Sequence, residues 1–268
     1  MYKGVFIDID GTLIKSDHTV SPATISTIKK IKDQHILVAL VSARPLHGIR
    51  PISDAVGLAD LPLASLNGSY IAFKGDILFE SYIDSAIVAR LHEQLQPYNA
   101  TIIYYEHQQW YAEERNHHIV KEQKITPVPV TIQPFETTLA HWQQIGRGPN
   151  KILVIQEAAV IAKIEDDLKP LHDAELNMYT SKPIYLEMMN KSASKTNAIR
   201  FLIDRYHIKQ EETIAIGDNF NDKEMIEFAG KGIAMGNAPD AVKAVADYVT
   251  DTNNNDGVAL ALTKFMNL

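Results

Sequence analysis

Asp8 and Asp10 close an apolar run, Val5-Phe6-Ile7-Asp8-Ile9-Asp10-Gly11-Thr12-Leu13. In an extended strand, side chains two apart point the same way, so aspartates at this spacing face one spot. Two ionised carboxylates that close repel each other, and burial adds a desolvation penalty. A bound cation or a shared proton relieves both. Gly11 lets the backbone leave the strand sharply, and Thr12 supplies a hydroxyl and an N–H at the bend. A second β-branched run, Thr213-Ile214-Ala215-Ile216, also ends in acid, as Gly217-Asp218-Asn219-Phe220-Asn221-Asp222. Ligands of open parallel sheets lie outside the carboxyl ends of the strands, where Asp8, Asp10, Asp218 and Asp222 converge if these two strands are neighbours. Several carboxylates around one point suit a hard cation with oxygen ligands. Mg²⁺ is the natural candidate, because it keeps some of its water and leaves room for a phosphate oxygen.

Two further strand-end features suit a phosphate. Ser42 follows the apolar run Ile36–Val41, which places its hydroxyl and nearby N–H groups at the same rim. Lys195 stands near the start of a helix, whose positive end also favours an anion. Taken singly, these residues have plainer readings. Asp222 and Ser42 are good helix caps, Lys195 an ordinary helix lysine, and Arg44 a surface or packing residue. Asn67 and Asn237 lie at turn signals, and turn chemistry accounts for both.

Such residues need strands that share one end, and the chain supplies them. Ser21-Pro22 opens a helix carrying Ile25, Ile28 and Ile31. The run Ile36–Val41 and a short helix through Val56 follow. Strands are then expected at Leu61–Ala64, Ser69–Phe73 and Ile77–Phe79. This βα alternation predicts a doubly wound, Rossmann-like parallel sheet in an α/β protein. The middle third reads as a separate α/β unit. It has a helix over Ile83–Leu95, a hairpin of Thr101–Tyr105 with Gln109–Ala112, irregular or edge structure over Gln123–Pro134, and a closing set of Lys151–Ile155, Ala158–Leu168, Leu176–Thr180 and Ile184–Met188. Its aromatics Tyr104, Tyr105, Trp110 and Tyr111 read as core of that unit or as a lid. From Lys195 onward βα alternation resumes. The expected domains are a core of 1–80 and 187–268 and an insertion of 81–186.

Bulk properties narrow the function. The 268 residues are 46% hydrophobic, enough for a sizeable core, and the net charge is −7. That charge argues against nucleic acid or an anionic membrane as partner. With no cysteine there are no disulfides, thiolate metal sites or cysteine nucleophiles. Neither a signal-peptide pattern nor an apolar stretch of membrane-spanning length is present, so a cytoplasmic location is expected. No Walker loop or dinucleotide fingerprint occurs, and the segment Asp251–Leu262 lacks the glycine and glutamate of an EF-hand.

The set Asp8-Ile9-Asp10-Gly11-Thr12, Ser42 with Arg44, Lys195, and Gly217-Asp218-Asn219-Phe220-Asn221-Asp222, in this order, resembles the haloacid dehalogenase superfamily of phosphohydrolases. The insertion between the second and third motifs looks like its type-IIB cap. Asn67-Gly68, Ser194-Lys195 and Asp256-Gly257-Val258-Ala259 are similar to its Cof-type subgroup. The sequence departs from the pattern at Ser42, where threonine is frequent, at Ala43, where glycine is usual, and at Thr196, where glycine commonly follows the lysine. The resemblance implies a Mg²⁺-dependent phosphatase of small phosphorylated metabolites. Asp8 would be the nucleophile that forms an aspartyl phosphate and Asp10 the acid and then base. Asp8, the Asp10 carbonyl and Asp218 would hold Mg²⁺. Ser42 and Lys195 would grip the phosphoryl oxygens, with Arg44 as a substrate contact. Asn221 and Asp222 would support the metal's water or Lys195. A sugar phosphate is the first expected substrate, a nucleotide or pyridoxal phosphate the next. A sugar phosphomutase is the nearest rival, and a phospho-accepting receiver or non-catalytic phosphate-binding protein a more distant one.

Overall fold

The computed structural model describes residues 1–125 and 128–266. Contacts divide the chain into two compact units. One comprises Met1–Arg44, Ile49–Leu78 and Lys195–Leu268, the other Pro45–Gly48 and Phe79–Ser194.

The first unit opens with β1 (Gly4–Ile7), α1 (Pro22–Asp33), β2 (Leu37–Val41), α2 (Leu46–Ala55), β3 (Leu63–Ser65), β4 (Tyr70–Phe73) and β5 (Asp76–Glu80). The second contains α3 (Ser85–Leu95), β6 (Thr101–Glu106), β7 (Gln109–Ala112), α4 (His117–Ile125), β8 (Thr131–Ile132), α5 (Phe135–Ile145), β9 (Lys151–Ile155), α6 (Ala158–His172), β10 (Leu176–Lys182) and β11 (Tyr185–Asn190). The first unit resumes with α7 (Lys195–Arg205), β12 (Thr213–Gly217), α8 (Lys223–Phe228), β13 (Lys231–Ala234), α9 (Asp240–Lys243), β14 (Tyr248–Val249) and α10 (Gly257–Met266).

The first unit's sheet runs β14-β13-β12-β1-β2-β3-β4-β5. From β14 to β3 every pair is parallel, while β4 returns antiparallel to β3. All residues of β1, β2 and β12 are buried, as a sheet covered on both faces requires. Helix α1 starts as its sequence dictates: Pro22 occupies the first turn and Ser21 Oγ accepts the Thr24 N–H at 3.1 Å. The antiparallel β4 departs from a purely parallel expectation because the Leu66–Gly68 turn reverses the chain after only three residues. A parallel return needs a much longer crossover.

The second unit is a six-stranded sheet, β10-β11-β9-β6-β7-β8. Alternate side chains of β6, β9 and β11 (Ile102, Tyr104, Ile152, Val154, Leu186 and Met188) pack with α3, α5 and α6 around Trp142. The expected hairpin is present, with Tyr104 opposite Tyr111. All four aromatics of that hairpin are buried. Helices α4 and α5 were not expected from the sequence. For α5 the signal is there: Phe135, Leu139 and Trp142 recur at helical spacing and pack into the core. Residues 126 and 127, within the stretch expected to be irregular or edge structure, lie outside the described residues, while β8 beyond them is a two-residue edge strand. The second junction falls at Ser194 rather than at 186, because β11 stays paired with β10 through Asn190. Among the described residues no helix is long and apolar enough to cross a membrane.

One buried histidine gives this unit a pH dependence. His92 on α3 pairs with the Tyr104 hydroxyl at 2.9 Å and Gln96 at 2.8 Å, and its ring stacks on Phe135 at 3.6 Å. Burial lowers its pKa, and Glu113 and Glu136 only partly oppose this. A histidine with a depressed native pKa contributes full stability above the unfolded value of about 6.5 and loses it as pH falls toward the native pKa. Denaturant titrations between about pH 7 and pH 5 are expected to show this loss, and His92→Gln to flatten it.

Candidate active site

Strand register sets the site. Ile7 of β1 lies opposite both Ile216 of β12 and Leu40 of β2, so the three strands end at one level. The residues just beyond are Asp8, Gly217-Asp218 and Val41-Ser42. Strand order reverses direction at β1, the switch point where open α/β sheets bind ligands.

Lys195, the first residue of α7, is 2% exposed, and its ammonium donates to Asp8 Oδ1 and Asp222 Oδ1, each at 2.5 Å. Burial opposes the charge on Lys195, but Asp222 and Asp8 outweigh it and raise the pKa. The other oxygen of Asp222 accepts the N–H groups of Asp218 at 3.0 Å and Asn219 at 2.9 Å. Asp222 therefore does not cap α8 with its side chain; it ties its own loop to Lys195. Gly217 makes room for this, because a Cβ there would stand 2.4 Å from that of Asp222.

Asp218 is held from the first motif. Thr12 Oγ1 donates to its Oδ1 at 2.8 Å. Gly11 sits at φ +82°, and a Cβ there would come within 2.3 Å of an Asp218 oxygen, so no other residue fits. Asn237, which the sequence explains as a turn residue, belongs to this cluster. Its Nδ2 donates to the Gly11 carbonyl at 2.9 Å and to Asp218 at 3.4 Å, and its Oδ1 accepts the Asn253 N–H at 3.0 Å. No local pattern could assign it, since its partners lie 16, 19 and 226 residues away in the chain.

Asp10 is placed differently from the strand-alternation argument. β1 ends at Ile7, so residues 8–10 are no longer an extended strand. The Asp10 carboxylate, 54% exposed, forms a two-point ion pair with Arg44, Nε and Nη2 each donating at 2.7 Å. Arg44 thus binds Asp10, where the sequence reading made it a substrate contact. Ser42 is 1% exposed, and its Oγ accepts the Arg44 N–H at 3.1 Å. An accepting hydroxyl keeps its own hydrogen to donate. Asn221 donates to Asn67 Oδ1 at 3.0 Å.

The donor set fits a hard divalent cation. One ligand oxygen each from Asp8, Asp218 and Asp222 lie within 4.8 Å of one another. Three carboxylates face one lysine. Burial, then Asp222, push the Asp218 carboxyl up to about 6, and the same causes raise that of Asp8 well above the usual range despite Lys195. Asp222 accepts three donors, against a hydroxyl and a long amide contact on Asp218 and the lysine on Asp8, which leaves Asp8 and Asp218 as the ligands with more capacity to spare. Without a cation, Asp218→Asn is expected to unfold at or above the native midpoint, because it removes a half-buried like charge. With Mg²⁺ at about 100 times its Kd, the native protein should gain about 2.7 kcal/mol and overtake the variant, which gains less. Asn237→Ala should weaken cation binding roughly 10- to 100-fold in the same titration, as loss of a group that orients a ligand does.

The sequence match covers the same residues. A model of the haloacid dehalogenase-like hydrolases matches residues 5–262. A Haemophilus influenzae protein named "Putative phosphatase" is 35% identical over 272 residues, 98% of this chain and 97% of its own. The 5-amino-6-(5-phospho-D-ribitylamino)uracil phosphatase YitU of Bacillus subtilis is 27% identical over 270 residues, again 98% and 97% of the two chains. The crystal structure of a haloacid dehalogenase-like hydrolase from Bacteroides thetaiotaomicron superposes with a TM-score of 0.86 at 30% identity, over 98% of this chain and 99% of that one. Sequence and backbone superposition agree along nearly the whole chain, which is a phosphatase of the haloacid dehalogenase-like hydrolase family.

Proposed function

We propose that the protein hydrolyses small phosphate monoesters through an aspartyl-phosphate intermediate on Asp8, with Mg²⁺ as cofactor. The observation that carries this reading is the buried Asp8–Lys195–Asp222 bridge at the switch point of the sheet. It fixes a carboxylate nucleophile beside a cation able to hold phosphoryl oxygens. Asp8 and Asp218, with the Asp10 carbonyl, would bind Mg²⁺, which when present supplies positive charge against the phosphoryl oxygens.

The chain's own groups then divide the work. An Asp8 oxygen forms a bond to phosphorus as the bond from phosphorus to the leaving alkoxide breaks. Lys195 and the Ser42 hydroxyl donate to the phosphoryl oxygens. Asp10 gives its proton to the leaving oxygen, then takes one from the water that attacks phosphorus and frees Asp8. Both oxygens of Asp10 accept from Arg44, which requires the carboxylate form, so to act as the acid Asp10 must leave Arg44 and take up a proton from water before it meets the substrate oxygen. The inserted unit, read as a type-IIB cap, would select the leaving group. A sugar or sugar-alcohol phosphate is the first candidate substrate, supported by the phosphoribityl compound in the name of the Bacillus subtilis relative. Pyridoxal phosphate and nucleotides follow.

Phosphate release from a panel of these esters, with and without Mg²⁺, tests the proposal. Release should require the cation and rank the substrates. Asp8→Asn should lower turnover by roughly 10³-fold or more, and Asp10→Asn by roughly 10²- to 10⁴-fold. A folded native protein that frees no phosphate from any ester in Mg²⁺ would sink it.

A further inference from the structure

The turn between β3 and β4 is strained in a way that its connecting task does not require. Leu66, Asn67 and Gly68 all have positive φ, at 50°, 55° and 86°. Leu66 and Asn67 are both fully buried. Left-handed backbone at non-glycine residues is uncommon, survives only where its surroundings dictate it, and concentrates at functional sites. Glycine would meet the backbone demand at position 67 without a steric penalty. The carboxamide present instead must earn its burial elsewhere.

Its bonds show where. The Leu66 N–H donates to the Arg44 carbonyl at 3.0 Å and the Asn67 N–H to the Ser42 carbonyl at 2.8 Å. Asn67 Oδ1 accepts the Asn221 amide at 3.0 Å, across 154 residues of sequence. The same turn packs against α7, which begins with Lys195. One three-residue turn therefore touches the loop that carries Ser42, the loop that carries Asn221 and Asp222, and the helix that carries Lys195.

We propose that Asn67 is a positioning residue of the phosphatase reaction, its left-handed backbone fixing Ser42 and its side-chain oxygen fixing Asn221. The inference rests on the roles given to Ser42 and Asn221 above. Asn67 acts through the Ser42 carbonyl and the Asn221 amide that it bonds, and so sets the spacing between groups on different loops. Displacement of such groups by about an ångström costs roughly 10²-fold in rate, whereas affinity for the rest of the substrate is unaffected.

Asn67→Gly separates the two functions, since it keeps the left-handed backbone and deletes only the carboxamide. With p-nitrophenyl phosphate and saturating Mg²⁺, kcat should fall roughly 10- to 100-fold with KM little changed. The thermal midpoint should stay near the native one. Asn221→Ala should fall by a similar factor, and the double variant no further than the worse single, because both act through one bond. Native kcat in Asn67→Gly, or losses that multiply in the double variant, would overturn the assignment. If Asn67→Gly unfolds, Asn221→Asp reads the same bond from the other side: it keeps shape but loses the donor, and native kcat there also overturns the idea. Asp8→Asn, run in parallel, separates the two levels. If it stays active, the proposed site itself fails; if it is inactive while Asn67→Gly is native, only the role of Asn67 fails.

Discussion

A single ammonium group buried between two carboxylates is the constraint on which the first unit depends. Lys195 reaches Asp8 and Asp222 at 2.5 Å in a setting almost closed to water. Each of these charges alone would be prohibitively unfavourable there, and removing one partner strands the others. The bridge therefore dictates which elements must end together: β1 for Asp8, β12 for the Asp222 loop and α7 for the lysine. The sheet order, with β1 between β12 and β2, satisfies that demand. The bridge also leaves an excess of negative charge, because Asp218 stands beside it with no cation of its own. Such an excess suits a hard cation with oxygen ligands, as the proposed Mg²⁺ would be.

Three carboxylates crowd this pocket, yet they are not equivalent, and the difference lies in their hydrogen bonds. Asp222 accepts two backbone N–H groups and the lysine, so its oxygens are spent on holding the loop. Asp218 accepts one hydroxyl and one long amide contact and keeps lone pairs in reserve. The two glycines mark where this packing is tightest. Gly11, beyond β1, yields to Asp218 of the β12 end, and Gly217, the last residue of β12, yields to Asp222 of the loop that follows it. Asp10, two residues from Asp8, escapes the crowd by turning out to Arg44.

How much of this could be read in advance follows from the range of the signals. Motifs whose meaning is local, a strand ending in acid or a serine after an apolar run, located Asp8, Ser42, Lys195 and Asp218 before any coordinates. The alternating pattern gave the α/β core because strand and helix periods differ clearly. Turn chemistry accounted for Asn67 and Asn237, and Asn67-Gly68 entered the Cof-type resemblance without a role: what distinguishes both asparagines is a partner more than a hundred residues away, and periodicity carries no such information. Asp10 misled for another reason. Side chains alternate only within a strand, and β1 ends at Ile7, three residues before Asp10. In the second unit, α5 was missed although Phe135, Leu139 and Trp142 mark it, because threonines and a histidine dilute its helical character. The domain junction slipped because a strand that ends in Met188-Met189-Asn190 gives no stop signal of its own.

The position of the insertion has a consequence for how the protein is made. Lys195 follows Asp8 by 187 residues, and β12, the neighbour that completes β1, comes later still. During synthesis β1, β2 and β3 emerge with one long edge open and with Asp8 lacking its counter-charge. The second unit, nearly continuous in sequence and with its own aromatic core, is complete before that edge is covered. Domains fold as units as they emerge, and exposed edges invite pairing with other chains. The nascent half-sheet therefore keeps an edge open to pairing until the last third of the chain is made.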